Sequence, residues 1–119
     1  MNSMNSNLPI DLYVHALDLA KEKEGLSNQD KMLLNRFKIL LRSGVVENAD
    51  CEFAQLGRVR KNTIHSIREL AEGIFEDWVR NLAICDADRD RILREGKERA
   101  DIAEEFMLDD LHHLGFIID

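Results

Sequence analysis

The sequence has 119 residues, a size suited to one domain, and 45% of them are hydrophobic, close to the globular average, which excludes disorder over most of its length. Its 16 Lys and Arg stand against 23 Asp and Glu, a net charge of −7 that repels phosphate backbones and anionic lipid. No apolar run approaches the roughly 20 residues needed to span a bilayer, and the opening MNSMNSN has neither the basic nor the apolar region of a secretory leader, so a cytoplasmic protein is expected.

Residues 1–8 read as a disordered polar segment, ahead of a single helical domain over 9–119. Pro9 sits where a first helical turn tolerates it. The stretch "IDLYVHALDLAKEKEG" then keeps Ile10, Tyr13, Val14, Leu17 and Ala20 on one face at spacings of three and four, which predicts a helix. Gly25 suits its C-terminal cap, with Leu26 as the hydrophobic contact that follows. "SNQD" opens a second helix. Ser27 can cap it, and Asp30 places negative charge in its first turn. Met32, Leu33, Phe37, Leu40 and Leu41 form its apolar stripe, which stops at Ser43-Gly44. "VVENAD" reads as a connector, with Asp50 as the next capping candidate.

A long third helix is predicted from about Cys51 to about Ile84. Phe53, Leu56, Val59, Ile64, Ile67, Leu70, Ala71, Ile74, Phe75, Trp78, Val79 and Leu82 recur near helical spacing, and Gly57 is a place to kink or divide it. "CDADRD" interrupts the pattern. Asp86 or Asp88 starts a fourth helix, with Ile92, Leu93, Ala100, Ala103, Phe106, Met107, Leu111 and Leu114 inward and Gly115 as its cap. No segment sustains an alternation of period two and no hairpin dipeptide separates apolar runs. The fold class is therefore all-α, a small bundle of four or five helices. The two cysteines, Cys51 and Cys85, are expected to be reduced core thiols.

Few constellations carry chemistry. Asp86, Asp88 and Asp90 match positions one, three and five of a calcium loop. The sixth position, which needs Gly, is Arg91, and the twelfth, which needs Glu, is Lys97, so the acids read better as helix capping groups. "DDLHH" pairs Asp109 with His112 and Asp110 with His113 at helical spacing, but a carboxylate-bridged metal bundle needs a second such motif. His15 and His65 have no ligand-spaced companions and are expected to be exposed. No Gly-rich phosphate loop, nucleophile elbow or CxxC pair is present. The reading is a non-enzyme with no cofactor and no metal.

"GRVRKNTIHSIR" holds the one basic cluster, Arg58, Arg60, Lys61 and Arg68. As an alternative function it suggests a small DNA-associated helical regulator using 58–68. The 11 acids against 5 bases from Asp86 onward oppose that use, and pairing with acids of another helix or another chain suits the stretch better. "LHHLGFIID" raises a different question, because three large apolar side chains follow Gly115 directly. They pack either on the chain's own bundle or on a partner. Apolar anchors dominate protein interfaces, so the partner-binding candidates are Phe106, Leu114, Phe116, Ile117 and Ile118.

"ELAEGIFEDWVRNLA" followed by "ERADIAEEFMLDDLHHLGFIID", together with length, acidity and helical layout, resembles the small quorum-sensing antiactivators that inhibit LuxR-type transcription factors. The resemblance implies a helical homodimer. It implies binding to the receptor's ligand-binding domain over the surface the receptor uses to dimerise. Such receptors read two-fold sites as dimers, so loss of the dimer abolishes DNA binding. The inhibitor would need no contact with membrane or nucleic acid.

Overall fold

The computed structural model describes residues 3–43 and 58–119. Among them are four helices, α1 Ser3–Ala20, α2 Asn28–Ser43, α3 Lys61–Arg80 and α4 Asp86–Leu114, and two short strands, β1 Arg58–Val59 and β2 Ile117–Ile118. The all-α reading holds, with one small parallel strand pair added to it. The expected Asp50 cap, the Gly57 kink, Cys51, Phe53 and Leu56 lie outside the described residues.

Two predicted elements differ. The α1 helix begins at Ser3, inside the segment read as disordered, so Pro9 falls in its interior rather than in its first turn. The helix predicted from about Cys51 onward is not continuous to Ile84. Arg58 and Val59 are extended, and α3 starts only at Lys61. The reason is tertiary. Val59 and its neighbours hydrogen-bond to the C-terminal residues, which gives their backbone a partner that no helix supplies. Arg58 pairs with Ile117 and Val59 with Ile118 in parallel register. The Asp119 amide donates to the Val59 carbonyl at 3.0 Å, and the Lys61 amide donates to the Asp119 carbonyl at 3.0 Å.

The capping chemistry is as its residue types dictate. The Ser27 hydroxyl accepts from the Asp30 amide at 3.0 Å while the Asp30 carboxylate accepts from the Ser27 amide at 3.2 Å, the reciprocal bonding of a capping box. Gly25 and Gly115 carry φ of +90° and +99°, left-handed values that a side chain resists; Gly115 caps α4, whereas α1 already ends at Ala20, so Gly25 lies in the turn that follows and is not the cap expected of it. After α4 the Gly115 amide donates to the His112 carbonyl and the Phe116 amide to that of Leu111, each at 3.0 Å. That pair of hydrogen bonds is the Schellman closure, and it turns the chain back toward β1.

The four helices bury one core. Tyr13, Phe37 and Phe75 meet at its centre, with ring centroids 4.9 Å apart for Tyr13 and Phe75 and 6.4 Å for Tyr13 and Phe37. Leu17, Leu33, Leu34, Leu41, Ile64, Met107 and Leu111 are fully enclosed around them. Trp78, Leu70 and Ile74 are half-buried against this core. Helix α4 has 29 residues, about 43 Å at 1.5 Å per residue, and it accounts for most of the molecule's 47 Å long dimension.

Candidate functional site

The C-terminal stretch divides its apolar residues between inside and outside. Phe116 is 6% exposed and belongs to the core, Ile118 is half-buried against it, and Ile117 is 54% exposed. The alternation follows from strand geometry, because successive side chains of β2 point to opposite sides. Phe116 is therefore a core side chain and not a surface contact. The Leu114 side chain lies outside the described ones.

Phe106 was expected both inward and in a partner contact. It is 46% exposed. Ala100, Ala103, Met107 and Leu111 occupy the inner face of α4, and a residue one position before Met107 is rotated by about 100° from it. Ile102, one turn earlier, is 49% exposed. The two form an outward apolar pair at i, i+4. Ile102 was not singled out from sequence, although its spacing to Phe106, out of phase with the core stripe, was a usable signal. Shallow grooves border the pair. One is lined by Leu40 and Ala103, the other by Pro9, Ile10 and Arg99. Ile39 is also exposed and lies on the same margin of α2 as Arg36, whose guanidinium bonds Asp110 at 2.6 and 3.2 Å, one turn from Phe106.

Two of the four cations of the basic cluster are paired inside the chain. Arg58 pairs with the Asp119 carboxylate at 3.0 Å. Arg68 is 8% exposed and bonds Glu72 at 3.1 Å, Glu104 at 2.9 Å and Asp101 at 2.6 Å. This is the expected pairing with acids of another helix, since Asp101 and Glu104 stand on α4. Burial by itself lowers the Arg68 pKa, but its bonds to Glu104 and Asp101 outweigh that and raise it above the usual guanidinium value. Glu72 also accepts from the Tyr13 hydroxyl at 2.9 Å. Burial first, and the Glu72 charge second, push the Tyr13 phenol well above its ordinary range, so it stays neutral. The cluster ties α1, α3 and α4 together. Arg60 and Lys61 remain at the surface.

The remaining motifs serve the turns. Asp86 and Asp88 stand in the first turn of α4, and Asp86 bonds Arg89 at 2.7 Å. Arg89 also donates to the carbonyls of Val79, Leu82 and Ile84 at 3.3, 2.9 and 3.1 Å, closing the end of α3 and the turn after it. His113 places its Nδ1 2.9 Å from the Asp109 carbonyl. His15 and His65 are exposed. Cys85 is exposed and not the core thiol expected, because the turn ahead of α4 leaves it outside. Among the described residues no group of three or more His, Cys, Asp or Glu could hold a metal ion. Among the same residues no helix is long and apolar enough to cross a membrane.

No family model, curated protein or solved structure matches this chain.

Proposed function

We propose that the protein is a non-catalytic regulator that inhibits a protein partner by covering an apolar face of it. The observation that carries this reading is the ordered outward display of large apolar side chains. Ile117 is held out by the strand pair, and Ile102 and Phe106 are held out by α4. Ordering such groups before binding lowers the entropic cost of association. Ile117, with half-buried Ile118 beside it, forms the contact for the heterologous partner.

The sequence resemblance gives that partner a class. It is the ligand-binding domain of a LuxR-type transcription factor, which the protein would keep from dimerising and hence from binding DNA. The alternative of direct DNA contact through 58–68 is weaker, because Arg58 and Arg68 are already paired to carboxylates. The test is calorimetric titration of the full chain into a purified receptor ligand-binding domain, followed by Ile117→Asp. Binding lost with the substitution, at unchanged circular dichroism, supports the proposal. Unchanged affinity removes Ile117 from the interface, and no heat at any concentration removes the receptor class.

A further inference from the structure

The exposed apolar pair on α4 borders a trough with a charged outer rim. Ile102 and Phe106 stand about 6 Å apart along the helix axis. The two grooves beside them share Ile102 and Arg99 and have volumes of about 260 and 220 Å³. Pro9 and Ile10 of α1 wall one of them, and Leu40 of α2 walls the other. Each is below the roughly 300 Å³ of a small-molecule pocket. Together they offer apolar side chains on both walls, which suits side chains arriving in a row from a polypeptide.

The charge around this trough is one-sided. Taking Ile102 and Phe106 as the centre line, Glu98, Glu105 and Asp109 lie on the solvent side of it, within about 80° at 100° per residue. All three are exposed, and none has an ion-pair partner among the described residues. Glu95, half-buried and likewise unpaired, lines the groove next to Pro9 and Ile10. Arg99 is the one cation among the described lining residues. It lies on the α2 side and donates to the Leu41 carbonyl at 3.0 Å. Glu98 and Glu105 are seven residues apart, two helical turns or about 10 Å along the axis.

An apolar trough between helices with a row of unpaired carboxylates on one rim selects its occupant by charge and by period. A nucleic acid, an anionic lipid or an acidic peptide would meet those carboxylates and be repelled. A second copy of the chain would bring the same carboxylates against them. A helix whose apolar residues recur at three and four can set them against Ile102 and Phe106, as in other helix-in-groove complexes. Cations two turns apart on its border then reach Glu98 and Glu105. We infer that the trough between α4 and the ends of α1 and α2 docks an amphipathic helix of another protein, one whose apolar stripe is edged by lysine or arginine. This contact is separate from that of Ile117, which β2 carries, so either can fail without the other.

Fluorescence anisotropy of a labelled model helix, LKKLLKLLKKLLKL, titrated with the full chain tests it, with LEELLELLEELLEL as the control. The lysine peptide should bind with a dissociation constant on the order of 10 μM at low salt, weaken as salt screens the rim, and bind far better than the glutamate peptide. Phe106→Ser should weaken it about tenfold or more. The double reversal Glu98→Lys with Glu105→Lys should do the same and flatten the salt dependence. Ile117→Asp should leave it unchanged. Far-UV circular dichroism accompanies each variant, and Ile102→Ser replaces Phe106→Ser if that chain unfolds. No binding of the lysine peptide overturns the inference, as does equal binding of the glutamate peptide or an affinity indifferent to either the apolar or the charge substitutions. Self-association that Phe106→Ser abolishes and the lysine peptide does not displace also overturns it, and gives the face to a second copy. A receptor domain that binds through Ile117 while the lysine peptide does not bind sinks the docked helix alone. A lysine peptide that binds as expected, with no heat from the receptor domain, sinks the receptor class alone.

Discussion

Alanine substitution at two glycines, both inside helices, should have opposite effects. In an exposed helix interior, glycine to alanine stabilises by about 1 kcal/mol, because alanine loses less backbone entropy on folding. Gly73 in α3 is such a place, with nothing within 4 Å of an added Cβ. Gly96 in α4 is different. A Cβ there would stand 2.8 Å from Cε2 of Phe75 and closer still to its Cζ. Phe75 is fully buried and held by the Tyr13 ring, so its ring cannot swing clear without disturbing the centre of the core. Overpacking of this kind costs about 1–3 kcal/mol. Set against the propensity gain, the net expectation for Gly96→Ala is a loss of about 1 kcal/mol. Urea melts followed by circular dichroism measure both variants, and for a domain of this size about 4 °C of Tm accompanies each kcal/mol. Shrinking the ring in a Gly96→Ala, Phe75→Leu double variant should recover part of the loss, as directly touching residues couple. If Gly96→Ala melts at or above the parent, or if it and Gly73→Ala shift the same way, the packing argument is wrong.

Tyr13 predicts an alkaline limit. Its pKa is raised on folding, so its stabilising contribution is complete below the unfolded value near 10 and is lost as pH rises through the folded value, at about 1.4 kcal/mol per pH unit. Stability measured from pH 9 to 11.5 should fall less steeply in Tyr13→Phe, which also loses the bond to Glu72 and about 1 kcal/mol at neutral pH. Arg68→Met should cost about 3 kcal/mol in urea melts, since it leaves Glu72, Asp101 and Glu104 facing one another without their shared cation; a near-neutral result would show that water reaches the cluster. Phe116→Ala should cost about 3 kcal/mol as a core truncation, whereas Ile117→Asp should leave the melt within about 0.5 kcal/mol, so the two separate folding from partner binding. Ser27→Ala should cost about 1 kcal/mol through loss of the α2 cap.

Local signals told most of the helical architecture in advance. The Ser27–Asp30 cap, the left-handed Gly115 cap and the start of α4 at Asp86 depend on bonds between near neighbours, and near neighbours are what a sequence displays. The apolar stripes of α1 and α2 were legible for the same reason, since a period of 3.6 needs only one helix to express it. Tertiary structure decided the rest. Arg58 and Val59 fit a helical period as well as an extended one, and the choice was made by residues 117–119, about 60 positions away. Arg68 read as part of a basic face because its carboxylate partners Asp101 and Glu104 come from another helix. Phe106 read as core because periodicity alone does not say how wide the buried stripe of α4 is, and that width is set by what α2 and α3 leave uncovered. The division of Phe116 inward from Ile117 outward likewise waited for β2 to find β1. Composition and short-range spacing determined most of the helices, but not the β1–β2 pair. Long-range pairing, which carries no signature in either partner's own neighbourhood, determined which of their side chains remain for another molecule to touch.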